Sequence, residues 1–138
     1  MQPSLVGIYR AMAYNNAWAN HRLLSACLAL SQQDFVAPRT GFFPSIAATL
    51  NHILIVDWFY IDALEGGWLG PKAWADRMPC TTAEHLKRTQ AEVDARLVAH
   101  CDSLIETGET AAPLPMRAPH VAHAAGVREY EWVRREFW

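Results

Sequence analysis

His52 stands inside a nearly continuous apolar run, "TLNHILIVDWFYIDALEGG", residues 49–67. Read as a helix, its neighbours one turn either side and two turns on are Ala48, Thr49, Ile55, Val56 and Phe59. The imidazole therefore points along an apolar face toward the interior. A neutral ring placed there needs partners for both nitrogens, and a metal ion on one with a carbonyl or carboxylate on the other meets that need. A core histidine bonded to backbone or water meets it too, and on composition alone that is the commoner arrangement. His120 and His123 lie three apart, so on a helix they share a face, with His123 over Gly126, Val127 and Tyr130. Two such histidines and one from a facing helix make an open three-nitrogen site of the catalytic zinc type. The plainer reading is a solvated pair at a frayed helix start, since Pro119 and Gly126 weaken the helix that must hold them.

The other polar candidates carry less. His21 beside Arg22 reads as surface, and so does His85 among charged residues. His100 approaches the core beside Leu97 and Leu104 with nothing to pair it. Asp57 and Asp62 are five residues apart, which puts them on different sides of one helix; surface positions fit them better than an interface or a support for ligands. Cys27 and Cys101 fall among apolar residues and read as inert core. With Cys80 they make three widely spaced cysteines and no CxxC, as expected of reduced thiols rather than a disulfide framework. No glycine-rich phosphate loop or G-x-S-x-G elbow occurs, which removes most nucleotide and serine-hydrolase readings.

Helices must position these groups, because the chain has almost no strand signal. Over residues 4–30, Leu5, Ile8, Met12, Ala19, Leu23, Ala26 and Leu30 recur at three- and four-residue steps, a helix of about 40 Å. "SQQDFVAPRTGFFP" breaks the period and reads as a loop. A second helix spans about 45–64 and stops at Gly66-Gly67. "GGWLGPKAWADRMPC" reads as a long crossover with room for one helical turn. A third helix opens on a capping box, Thr81 with Glu84, and runs to about 105. Its stripe is Leu86, Val93, Leu97 and Leu104; Glu84/Arg88 and Glu92/Arg96 are its expected wet-side pairs. "ETGETAAPLPMRAPH" reads as loop, and the last eighteen residues as a short helix with Gly126, Tyr130, Val133 and Phe137 on one face. The sum is an all-α bundle in a single domain, residues 1–138, in which the long second connection keeps some neighbours from being tight antiparallel pairs.

Composition narrows the class. With 51% hydrophobic and 19% charged residues the chain is globular rather than disordered. A net charge of −2 supplies no field for nucleic acid or anionic lipid. Asn51, His52, Asp57 and Asp62 interrupt the best candidate for a membrane span, and no basic-then-apolar leader opens the chain. A cytoplasmic protein is expected.

"YNNAWANHRL" on helix 1, "FFPSI" before helix 2 and "TLNHILIVDWFYIDAL" on it, in that order, resemble the DinB family of metal-dependent helical bundles, most strongly over residues 5–105. The resemblance implies a four-helix bundle with a long crossover between helices 2 and 3. It also implies a divalent metal, nickel or zinc, held by three histidines with one coordination position open. His52, in Asn-His on helix 2, matches the first ligand. The family's other two stand near the start of helix 4 as His-x-x-x-His running into His-Arg-Gly-Gln, a motif this chain lacks. His120 and His123 are the nearest substitutes, at a spacing of three. A truncated or frame-shifted gene end is the expected origin of that departure, and it leaves the fourth helix short. Two functions follow. One is a metal-dependent hydrolase or thiol-dependent transferase that acts on a small molecule, with a low-molecular-weight thiol as a further expected partner, and forms a homodimer as relatives often do. The other is a metal-free bundle serving dimerisation or interaction.

Overall fold

The computed structural model describes residues 4–104. Helix α1, Leu5–Cys27, starts where Ser4 in extended backbone accepts the Gly7 N–H on its hydroxyl at 3.0 Å. Helix α2, Gln32–Val36, is one turn long and occupies the stretch expected to be loop. Ser31 caps it through Asp34 N–H, Phe35 fills the core beneath it, and Pro38 forbids its extension. A five-residue helix is too short to show a period, which is why the pattern missed it.

Helix α3, Ile46–Leu64, is capped by Ser45 and carries His52. It ends at Gly66, whose φ of 79° only glycine adopts without strain. Asp62 shapes the exit: its carbonyl accepts Gly67 N–H and its carboxylate accepts Leu69 N–H, both at 2.7 Å. This aspartate is a turn-builder rather than the surface group expected. The crossover then forms one 3-10 turn, Gly70–Trp74, with Pro71 in its first turn.

Helix α4, Ala83–Ser103, begins one residue later than expected. Thr82, not Thr81, is the extended residue whose hydroxyl accepts an N–H, that of His85, so Glu84 sits inside the first turn rather than closing a box. The expected pair of Arg96 with Glu92 is also replaced. Arg96 reaches across to Glu65 at the end of α3, its two nitrogens 3.1 and 2.6 Å from the two carboxylate oxygens.

Three contacts fix directions. Asn51 meets Cys80, Asp57 meets Gln90 and Glu65 meets Arg96, so α3 and α4 run parallel. That relation requires the crossover to travel back along α3. Helix α1 is antiparallel to α4, its Arg10 donating to the carbonyls of Cys101, Asp102 and Leu104. Helix α4 thus lies between α1 and α3. The core it closes holds Leu24, Phe35, Leu50, Leu54, Leu86 and Val93. Among the described residues the architecture is all-helical, as expected.

The apolar row of α1 is the largest correction. Leu5, Ile8, Met12, Ala19, Leu23, Ala26 and Leu30 are exposed, Met12 at 63%. The face turned inward carries Ala13, Leu24 and Cys27, together with Arg10, Asn16 and Asn20, which bond to α4. Hydrogen-bond complementarity chose the contact face, and periodicity cannot see that. The short C-terminal helix expected over the last eighteen residues lies outside the described residues.

Candidate functional site

The run "GFFPSI" turns sharply, closed by Arg39 N–H on the Pro44 carbonyl at 2.8 Å, and lays Phe43 on His52 with ring centroids 4.5 Å apart. His52 is half-buried. Burial, aided by the positive charge of Arg77, lowers its pKa from the ordinary 6.5, which favours the neutral ring at pH 7.

The preceding residue has the opposite task. Asn51 is fully buried, and its side chain grips the crossover: the amide donates to the Cys80 carbonyl at 2.8 Å while its oxygen accepts Cys80 N–H at 2.9 Å. A second donation, to the Ala47 carbonyl, completes the group. In the Asn-His pair one residue fastens the crossover and the next presents an imidazole beside it.

Asp57 faces away from that site. Five positions after His52, at 100° per residue, it lies about 140° round α3 and meets α4. Its carboxylate accepts the Gln90 amide at 2.7 Å, and the same amide donates to Asp94 at 3.1 Å. Asp94 is 4% exposed and also accepts from Asn16 and Asn20 of α1. Burial raises the Asp57 pKa above 3.8; the Gln90 hydrogen bond opposes the rise and the Asp94 charge adds to it. Asp57 is therefore an interface residue rather than the surface residue favoured from sequence. Sequence reasoning missed Asn16, Asn20, Gln90 and Asp94 altogether. Their only signal was two i,i+4 polar pairs on facing helices, Asn16/Asn20 and Gln90/Asp94.

Of the other histidines, His21 and His85 are exposed as expected. His100 is half-buried, and its Nε2 has no hydrogen-bond partner among the described residues. All three cysteines are free and buried, and burial pushes each thiol above its ordinary pKa of 9.0, so none is a poised nucleophile. His120 and His123 lie outside the described residues.

His52 suits a metal as one nitrogen donor: neutral, half-buried and backed by an aromatic ring. Among the described residues no three His, Cys, Asp or Glu side chains gather into a ligand set. A groove of about 450 Å³ between α1 and α4, lined by Tyr14, His21, Lys87, Asp94 and Val98 among others, includes no α3 residue and is separate from His52. Among the described residues no helix is long and apolar enough to cross a membrane.

Comparison with known proteins gives one match. No curated protein and no solved structure matches the chain. The family model for the DinB family matches residues 1–121, a span that takes in the Asn-His pair of α3, the crossover and His120. With all-helical architecture and that match over most of its length, the chain belongs to the DinB family.

Proposed function

We propose that this DinB-family chain is a divalent-metal-dependent enzyme, a hydrolase or a thiol-dependent transferase, in which His52 is one metal ligand and His120 and His123 supply the others. The observation that carries the reading is the neutral, partly buried imidazole of His52, set on α3 by a capped helix start and beside a crossover that Asn51 locks in place. Nickel or zinc is the ion best suited to imidazole donors. Such an ion lowers the pKa of a bound water or thiol. This chain's residues do the rest: Phe43 limits water on one side of the ring, and burial, with the Arg77 charge second, disfavours protonation of the imidazole. A small-molecule substrate, a low-molecular-weight thiol and a cytoplasmic setting belong to the same reading.

X-ray absorption on the full chain loaded with nickel or zinc tests it. Imidazole nitrogens at about 2.0–2.1 Å are expected, with His120 or His123 bringing a nitrogen within about 4 Å of the His52 nitrogen. A first shell of oxygens alone would sink the metal assignment. The second reading, a metal-free dimerisation module, draws on the exposed row Leu5, Ile8, Met12 and Leu23 of α1. A stable dimer that takes up no ion would favour it, with the homodimer itself read by sedimentation equilibrium.

A further inference from the structure

The groove between α1 and α4 opens on the side of α1 away from its exposed apolar row. His21 lines the groove, and Met12 stands nine residues earlier, two and a half turns, so the two point in opposite directions. The lining is small: Ala17 from α1, and Ala91, Ala95, Val98 and Ala99 from α4. The three alanines of α4 are exposed, and side chains that short let another helix come close. Large rings stand beside them on α1. Tyr14 is 55% exposed and Trp18, one turn on, 57%. Exposed rings next to an apolar groove are the surface that a protein partner covers.

The charges lie at the ends. Lys87 marks one end, with His21 toward it, and takes part in no hydrogen bond or ion pair among the described residues. Asp102 marks the other, accepting the Tyr14 hydroxyl at 2.8 Å. It also lies 3.8 Å from Arg10, yet it is 44% exposed and its carboxylate keeps acceptor sites for a further cation. Asp94, in the middle, is buried and taken up by the amides of Asn16 and Asn20. From Lys87 to Asp102 α4 rises about 22 Å, with its midpoint beside Ala95. A two-fold axis through that midpoint lays a second α4 antiparallel on the first. Lys87 then faces the partner's Asp102, Ala91 faces the partner's Val98, and Ala95 meets its own equivalent. A parallel copy would set Lys87 on Lys87 and Asp102 on Asp102. The groove is therefore complementary to itself in shape and in sign, as a closed dimer requires. Apolar contact supplies the affinity and the end charges supply the direction.

We propose that the α1–α4 groove is a homodimer interface, filled by α4 of a second copy in antiparallel register about Ala95. This assigns the homodimer a face separate from the α1 row on which the metal-free reading draws, and it holds whether or not His52 binds an ion.

Sedimentation equilibrium of the full chain, with cysteine cross-linking, tests it. The parent chain should dimerise. Ala95→Arg, which sets two like charges on the axis, should weaken the dimer at least about tenfold with the circular dichroism spectrum unchanged. Lys87→Glu and Asp102→Lys should each weaken it alone, whereas an equimolar mixture of the two should form a heterodimer, because both end pairs are then opposite in sign. Cys27, Cys80 and Cys101 are buried, so Ala95→Cys adds one accessible thiol, which a short bismaleimide should link to its equivalent. Leu23→Cys, on the apolar row, should not link. A monomeric parent chain, its groove open or covered by residues 105–138, overturns the proposal. A mixture no tighter than its components overturns the antiparallel register. A dimer that survives Ala95→Arg and links through Leu23→Cys also overturns it, while keeping the homodimer and moving it to the apolar row.

Discussion

The two sides of α3 are built from similar polar residues put to different use. On the crossover side, Asn51 makes a neutral clamp in which donors match acceptors, and next to it His52 packs on the Phe43 ring. On the α4 side, Asp57 and Asp94 accept amides from Gln90, Asn16 and Asn20. There two carboxylates draw on three amides, and a buried carboxylate is tolerated only while those donors face it. The α4 side joins three helices through carboxylates that accept amides, whereas the crossover side is fastened at Asn51 next to the half-buried His52.

Breaking the carboxylate side should cost most. Asp94→Ala orphans the amides of Asn16 and Asn20 and leaves the Gln90 amide only Asp57, and we expect a loss of about 3–5 kcal/mol in urea unfolding. Asn51→Ala leaves the Cys80 N–H and carbonyl buried without their partner. About 2–3 kcal/mol should be lost, with the crossover cut sooner by a protease than in the parent chain. A loss below about 0.5 kcal/mol would mean the clamp is not what orders the crossover.

The comparison sharpens with pH, because the two sides titrate in opposite senses. Asp57 has a folded pKa above its ordinary 3.8, so the folded state binds the proton first as pH falls. Its ionisation weakens the fold at neutral pH, and stability is regained as pH drops through the raised value. Asp57→Asn should flatten that part of the profile. His52 has a folded pKa below its ordinary 6.5, so the unfolded chain takes up the proton first. Stability should be lost as pH falls through and below 6.5, a loss absent from His52→Gln, with chelator present throughout. Unfolding midpoints across pH 4–8 check both, and a parental profile in either variant would contradict its assignment. The smallest effect is expected at the far end of α3. Arg96→Ala breaks an exposed pair with Glu65 and should cost about 0.5 kcal/mol, less at high salt.

Helix existence was legible in the sequence because α1, α3 and α4 are each at least 19 residues long and carry strong stop signals. The face of α1 was not. Its apolar row outscored Asn16 and Asn20 on periodicity, but those two amides have a carboxylate to meet on α4, and no rule of spacing weighs partners on another helix. Thr81 and Thr82 both suit a cap, and only the backbone turn after Cys80 decides between them. His52 stood out because an imidazole in an apolar run demands an explanation.

Equilibrium dialysis of the full chain against nickel or zinc, with His52→Ala alongside, tests the metal-ligand role of His52 most directly. We expect the parent chain to retain roughly one ion per chain and the variant to retain none, with helix content by circular dichroism nearly the same in both. Equal uptake by the two would remove His52 from the site, and no uptake by the parent chain would leave it a histidine packed on Phe43 without an ion to bind.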